Sequence, residues 1–230
     1  MFNRVQAFWS QSHKRDGFAL GLAVGTFGVT FGVLANAAGI SDLMAVVLSL
    51  LVFTGASQFA AVGVVNAGGE PLTALGTALL LGARNGVYGL SVGRILPVGK
   101  FKRLLGAQLV IDESVAVSSL QLDDRDAREA FWVTGLSVFI FWNLGTVVGV
   151  LLGDVVGDPR TWGLDAAFPA GFFALLMPHL RSQAKRQSAL WGALIALAAI
   201  SILPSGLPVL ASVGGAFIAA FASSLRRRRS

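Results

Sequence analysis

Four ionisable side chains lie within long apolar stretches of the sequence: Arg84, Asp112, Glu113 and Asp165. A charge at the centre of a transmembrane helix costs about 2.5–3.5 kcal/mol on the insertion scale, so such a residue usually faces a partner or a water-filled path. One interpretation is a structural ion pair between Arg84 and an acid. The other is a substrate or proton site, which is favoured because three acids exceed what one arginine neutralises.

The three acids are candidates for proton coupling, since a carboxyl group at membrane depth is suited to loading and releasing protons. Asp112 and Glu113 are adjacent, so their side chains point about 100° apart on a helix, and we expect only one of them to face a pathway. Asp165 stands near the start of its segment, where it is equally suited to capping a helix.

A polar stretch at residues 54–59 interrupts another apolar region and contains Gly55, Ser57 and Gln58. A glutamine among apolar residues needs a hydrogen-bond partner. One alternative is that the stretch hydrogen-bonds neighbouring helices together. The other is that it unwinds and offers backbone groups to a ligand, as discontinuous helices of transporters do.

A small zwitterion fits these groups. Arg84, or the N-terminus of a half-helix created by a break between Gly82 and Gly86, would hold a carboxylate. Asp112, Glu113 or the polar stretch at 54–59 would face an ammonium group. The surrounding apolar wall suits the side chains of neutral amino acids.

The composition places these groups in a membrane protein. Of the 230 residues, 54% are hydrophobic and 13% are charged, whereas an ordinary soluble domain has about 25% charged residues. Such a chain cannot cover a water-facing surface, and it is too apolar to be disordered. With no cysteine and only two histidines, we expect no thiol chemistry, no metal site and no cofactor.

The apolar stretches predict an all-α, polytopic membrane helix bundle, because about 20 apolar residues cross the hydrocarbon core. We expect a cytoplasmic segment at 1–16, a single transmembrane transport domain at 17–225 and a basic cytoplasmic tail at 226–230. Six to eight spanning or re-entrant segments are predicted, with these bounds: 17–41, 43–69, 71–96, 104–120, 131–153, 162–180, 187–203 and 209–225.

The net charge of +6 comes from clusters that border the apolar segments. This is typical of cytoplasmic loops, and it argues against a nucleic-acid partner. Most of the 18 basic residues belong to four clusters: Arg4, Lys14 and Arg15; Arg94, Lys100, Lys102 and Arg103; Arg181, Lys185 and Arg186; and Arg226 to Arg229.

Three segments separate each successive pair of the first three clusters, which is one crossing too many if all clusters are cytoplasmic. One solution makes a segment in each half re-entrant or broken, and 71–96 is the candidate in the first half because Gly82 and Gly86 flank Arg84. The other lets all eight segments span and puts 100–103 outside, so that the first six form an inverted pair. Both place the two termini in the cytoplasm.

Glycines recur at helical spacing in three segments, which predicts close helix packing. A seam that slides or rocks is the functional alternative. The three stripes are Gly17, Gly21, Gly25, Gly28 and Gly32; Gly82, Gly86, Gly89 and Gly93; and Gly145, Gly149 and Gly153.

The motifs, in order along the chain, resemble those of AzlC-type proteins, the large subunits of branched-chain amino acid exporters. Residues 55–59 are similar to the Gly-Ala-Ser-Gln-Phe signature of that family. Arg84 and Tyr88 fall in a stretch similar to its Arg-x-x-x-Tyr-Gly-x-Ser, and the acids at 112–113 fall on its Asp-Glu pair. Trp142 opens a run similar to its Trp-x-x-Gly-Thr-x-x-Gly.

This resemblance implies a multi-pass inner-membrane protein that exports leucine, isoleucine, valine or related small hydrophobic amino acids. It further implies energy from the proton gradient and a small AzlD-type membrane subunit as partner. The substrate contacts that we expect come from two motifs: Gly55, Ser57, Gln58, Arg84, Asn85 and Tyr88.

Two other function classes have some support in the sequence. A membrane protease would use Ser57 as nucleophile, but a serine needs a base within hydrogen-bond reach, and His179 is the one histidine in the membrane portion. We therefore expect no enzyme. A channel without coupling, or a structural subunit without transport activity, is the remaining alternative, and it predicts no proton dependence.

Overall fold

The computed structural model describes residues 12–96, 99–156, 159–163, 166, 169, 170, 173 and 176–227, which form helices and turns with no strand among them. Short 3-10 turns occupy Pro159–Trp162 and Met177–Arg181. The predicted all-α membrane helix bundle is confirmed. Its helices are α1 (Ser12–Ala37), α2 (Asp42–Leu51), α3 (Gly55–Asn66), α4 (Pro71–Val92), α5 (Lys100–Gln108), α6 (Asp112–Ser119), α7 (Asp124–Val156), α8 (Gln183–Ile200), α9 (Leu207–Ala211) and α10 (Gly214–Arg227).

Helices α1 and α7 pack side by side and form the frame of the bundle. Both are apolar and long enough to cross a membrane. Two of the three predicted glycine stripes make this contact: a Cβ at Gly21 would lie 2.5 Å from Ser137 Cβ, and one at Gly25 would lie 2.6 Å from Phe141 Cβ. Only glycine lets the two backbones approach this closely. The close packing predicted for the third stripe, in α4, is wrong at Gly86 and Gly89, where a Cβ would meet nothing within 4 Å.

The two frame helices run parallel, which defines two sides of the bundle. Where both begin, Lys14 Nζ lies 2.6 Å from the Glu129 carboxylate. Where both end, Asn36 Nδ2 donates to Asp154 at 3.1 Å. We call the side at which α1 and α7 begin the near side, and the side at which they end the far side. Because α1 ends on the far side and α7 begins on the near side, the chain between the two helices must cross the bundle an odd number of times.

Helix α2 enters the bundle from the far side. Asn36 Nδ2 lies 3.3 Å from Asp42 Oδ1 at the start of α2. Further down, Ser49 Oγ lies 3.0 Å from Thr146 Oγ1, ten residues before the end of α7 and therefore about 15 Å deeper. The chain then reverses at Phe53, which adopts the left-handed backbone conformation with φ 38°.

Helix α3 returns to the far side beside α4. A Cβ at Gly82, in the middle of α4, would lie 3.3 Å from Ser57 Oγ. Helix α4 itself ends on the near side, where Arg128 Nε donates to Ile95 O at 2.9 Å. Its 22 residues cover about 33 Å, so Pro71 and the end of α3 lie on the far side. Helices α2 and α3 are thus a re-entrant hairpin.

A second re-entrant hairpin, formed by α5 and α6, enters from the near side. The last turn of α5 lies close to the near end of α4, since a Cβ at Gly106 would lie 2.8 Å from Leu96 Cδ2. The chain then reaches α7, where Leu109 Cβ would lie 2.9 Å from a Cβ at Gly135. After the reversal, α6 descends and ends at Ser119, and four residues connect it to α7.

The first hairpin corrects the expected topology. We predicted that segment 71–96 is re-entrant or broken between Gly82 and Gly86, but α4 runs through these residues without a break. A glycine inside a helix costs about 1 kcal/mol and keeps its backbone hydrogen bonds, so two glycines alone do not end a helix. The re-entrant segment of the first half is 43–69.

The structure also contradicts the alternative in which all eight segments span. Arg94 Nε lies 3.8 Å from Asp124 Oδ1 at the start of α7, so the basic residues around the end of α4 share the near side with Lys14. Two long helices, α1 toward the far side and α4 back toward the near side, separate these clusters. This is the even number that the re-entrant solution requires.

The C-terminal helices attach to the bundle on its far side. Helices α8 and α10 pack against each other, with Gly192 against Gly215. The turn after α8 meets the turn after α3, where Ser205 Oγ donates to Ala67 O at 3.0 Å. Segment 162–180 falls largely outside the described residues, so its crossing stays a prediction.

The glycine contact between α1 and α7 predicts a position-specific loss of stability. We expect Gly25→Leu to lower the thermal unfolding midpoint of the detergent-solubilised protein by about 5 °C or more, because overpacking costs about 1–3 kcal/mol. Gly89→Leu is the matched control, since a Cβ there meets nothing within 4 Å. Equal shifts for the two variants would contradict the packing role.

The hairpin topology predicts from which side of the membrane a reagent can label each loop. The chain has no cysteine, so a membrane-impermeant maleimide would label only the single cysteine that is introduced. We expect Ser41→Cys and Glu70→Cys, which flank the first hairpin, to react from the same side. Leu122→Cys, after the second hairpin, should react from the other side. Reaction of residues 41 and 70 from opposite sides would show that α2 and α3 cross the membrane.

Candidate functional site

The tips of the two hairpins meet at mid-depth along the bundle, where Leu50 and Leu51 are 42% and 72% exposed. Gln108 Nε2, at the end of α5, donates to Leu50 O at 3.0 Å and to Leu51 O at 3.1 Å. These carbonyls belong to the last turn of α2, where backbone oxygens have no partner within their own helix. One side chain from the near-side hairpin thus completes the end of a helix that enters from the far side.

The residues that begin α3 are buried beside this contact between the tips. Ser57 and Gln58 are each only 1% exposed. Ser57 Oγ and both amide atoms of Gln58 lack a hydrogen-bond partner among the described residues. Gly55 lies under the Trp142 ring, since a Cβ there would be 2.7 Å from Cη2. The three residues predicted from this motif therefore line one buried polar region.

Helix α4 carries the other predicted contacts. Arg84 Nη2 lies 2.6 Å from Asp112 Oδ2 at the start of α6, and their side chains are 30% and 23% exposed. Tyr88, one turn further along, lies near the same carboxylate. Asn85 lies three residues beyond Gly82 and so shares its face toward α3. Asn85 Oδ1 is buried without a partner among the described residues.

These positions form two neighbouring groups joined by α4. The first contains the start of α3 with Asn85, and the second contains Arg84, Asp112 and Tyr88. The ion pair that the sequence offered as one alternative exists, between Arg84 and Asp112. Glu113 follows directly and makes no ion pair among the described residues. Asp165 lies outside the described residues, so its role stays a prediction.

Sequence reasoning missed several polar groups of this region. Gln108 connects the two tips, and Asn143 Nδ2 donates to Phe139 O at 2.7 Å while its Oδ1 is buried without a partner among the described residues. Trp142 Nε1 is unpartnered in the same sense. The sequence could have indicated Gln108 and Asn143, because each amide side chain interrupts an apolar stretch as Gln58 does.

A group of possible metal ligands also appears, which the sequence did not predict. His13, Asp126 and Glu129 bring ligand atoms within 4.8 Å of one another on the near side. Lys14 and Arg125 already contact the Glu129 carboxylate, at 2.6 Å and 3.5 Å. Basic side chains therefore fill the role that a cation would take.

Arg84 and Asp112 are expected to stabilise the fold as a coupled pair. A double-mutant cycle with Arg84→Gln and Asp112→Asn should give a coupling of about 1.5–3 kcal/mol in the free energy of unfolding, as for hydrogen bonds to charged groups. Arg94 and Asp124 are the matched control, since their side chains are 80% and 70% exposed at 3.8 Å, and should give about 0–1 kcal/mol. Equal couplings would contradict a special role for the inner pair.

Comparison with known proteins identifies the family. Residues 19–156 match the AzlC family model, described as AzlC protein. The chain is 24% identical over 204 residues to the branched-chain amino acid transport protein AzlC of Bacillus subtilis, covering 86% of this chain and 79% of that protein. It is 30% identical over 192 residues to the inner membrane protein YgaZ of Escherichia coli, covering 80% and 78%. It is also 32% identical over 173 residues to a membrane protein of Archaeoglobus fulgidus, covering 74% of each. No solved structure matches the chain. Because the family match covers more than half of its length, the chain belongs to the AzlC family.

Proposed function

We propose that the protein exports branched-chain or related neutral amino acids across the inner membrane, coupled to protons and together with a small AzlD-type membrane subunit. The family and the name of the Bacillus subtilis relative support branched-chain amino acids as the substrate class. The direction, the coupling and the partner rest on the motif resemblance. Residues 17–225 would act as one transport domain, without enzymatic activity.

The observation that carries the proposal is the buried polar region at the start of α3. A buried polar group without a partner costs about 1–3 kcal/mol. Ser57, Gln58 and Asn85 combine such groups in one apolar bundle, which favours a site that a polar ligand completes. The Trp142 ring lies 5.9 Å from the Phe59 ring beside it, and such a wall suits a branched apolar side chain.

Proton coupling is assigned to the acids at the second group. Asp112 is held by Arg84, whereas Glu113 has no cation of its own among the described ion pairs. Since intramembrane acids mark ion pathways and proton relays, and Glu113 has no ion pair that would hold it charged, Glu113 is the first candidate. Asp112 and Asp165 are the others.

The proposed orientation follows from the basic residues of the near side. Lys14, Arg15 and Arg94 lie there, and basic residues favour cytoplasmic loops. The near side is therefore taken as cytoplasmic, with both termini on it.

An efflux assay tests the function. Cells are loaded with a leucine- or valine-containing dipeptide, and extracellular amino acid is measured with and without the protein and a co-expressed AzlD-type subunit. We expect protein-dependent efflux that Gln58→Leu lowers about tenfold or more, as for a buried hydrogen-bonding group in a binding site. Ser118→Ala is the control, because Ser118 is also buried but bonds Val115 O. Wild-type efflux in Gln58→Leu would remove this site from the pathway.

Proton coupling has its own prediction. A protonophore should slow efflux by the wild type, and Glu113→Gln should make the residual efflux insensitive to it, because the amide does not titrate. Asp123→Asn, on the exposed turn before α7, is the control and should keep the sensitivity. Efflux that never responds to the protonophore would instead support a channel without coupling.

A further inference from the structure

The N-terminus of α3 points into the bundle without an anion of its own. The helix has 12 residues, no acid in its first turn, and no side-chain cap from Thr54. The first intrahelical bond of the turn runs from Gln58 N to Thr54 O at 3.0 Å. The N–H groups of Gly55, Ala56 and Ser57 therefore have no carbonyl partner in their helix. The aligned peptide dipoles also make this end partially positive.

Two buried side chains point to a ligand at the same place, independently of the helix end. Ser57 and Gln58 are each 1% exposed. Ser57 Oγ, Gln58 Nε2 and Gln58 Oε1 have no hydrogen-bond partner among the described residues. Two of these three atoms can donate hydrogen bonds. Together with the backbone N–H groups, they place several hydrogen-bond donors at the start of α3, which suits an anion.

The other half-helix that begins inside the bundle is already neutralised. Helix α6 starts with Asp112 and Glu113, so its first turn carries its own anions. Ser114 Oγ accepts from Ile111 N at 3.2 Å. Arg84 is bound to Asp112 at 2.6 Å, and its charge is therefore occupied. This differs from the sequence-based expectation that Arg84 receives a carboxylate.

We propose that the start of α3, through the N–H groups of residues 55–57 and the side chains of Ser57 and Gln58, binds the carboxylate of the transported amino acid. This deepens the proposed function and rests on it. A carboxylate accepts several hydrogen bonds at once, and helix N-termini bind such anions. Arg84 then acts with Asp112 as a structural pair and does not contact the carboxylate.

Three ligands distinguish binding of the substrate's carboxylate from binding of its ammonium group. Binding of leucine, of leucinamide, which lacks the carboxylate charge, and of 4-methylpentanoate, which lacks the ammonium group, is measured by competition against radiolabelled leucine on the purified full-length protein with its subunit. The variants are Ser57→Ala, which removes one donor, and Gln58→Glu, which places a negative charge at the site. Ser118→Ala is the control for a buried serine that has a partner.

We expect the wild type to bind leucine and 4-methylpentanoate, and to bind leucinamide about tenfold more weakly or worse, as loss of a charge-assisted contact implies. Both variants should weaken leucine and 4-methylpentanoate by about tenfold or more and change leucinamide by less than about twofold. Ser118→Ala should change none of them. Normal elution and thermal stability of Ser57→Ala, the milder variant, exclude misfolding.

Two results would overturn the inference in different ways. If the variants weaken leucine and leucinamide equally, or if Arg84→Gln alone abolishes the preference for the carboxylate, the carboxylate binds elsewhere while amino-acid transport stands. If the wild type binds none of the three ligands, the proposed substrate class fails and the carboxylate site fails with it.

Discussion

Backbone groups inside an apolar bundle must find partners within the protein, and this constraint shapes both hairpins. At the tip of the first hairpin, Gln108 satisfies two carbonyls of α2. At the tip of the second, Ser114 Oγ accepts from Ile111 N and donates to Leu109 O at 2.6 Å. Among the described helix ends at these tips, the start of α3 lacks such a partner. The proposed ligand site coincides with that exception.

The frame formed by α1 and α7 makes two chain reversals at this depth tolerable. Its glycines bring the two backbones into direct contact, for example where Gly149 meets Val29. At these positions no side chain lies between the helices, so a change in their distance cannot be absorbed by a change of rotamer. Helix α2 attaches to this frame by the Ser49–Thr146 hydrogen bond. The left-handed backbone of Phe53 costs about 1–3 kcal/mol, and the edge contact of its ring with Phe139, at 4.8 Å between centroids, helps to hold it.

The sequence predicted the parts of this structure that depend on local composition. Long apolar stretches predicted the frame helices, and glycine spacing predicted close helix packing. The basic clusters left two topologies open, one with a re-entrant or broken segment in each half and one in which all eight segments span. The location of the reversals depends on tertiary contacts that no local pattern reports. Gly82 and Gly86 looked like a break, yet α4 continues. Residues 109–111, which form the reversal before α6, include no glycine or proline. Ser114 holds this reversal, since its hydroxyl accepts from Ile111 N and donates to Leu109 O. The sequence pointed to Ser57 and Gln58 as substrate contacts, and this stays a prediction, although both side chains are buried. Which acid pairs with Arg84 could be seen only in the fold.

The single glutamine between the hairpin tips has a mechanical consequence. Its amide nitrogen bonds two successive carbonyls of a helix that enters from the other side, so both bonds break together as soon as either tip withdraws. The position of one hairpin tip relative to the other therefore depends on this one side chain.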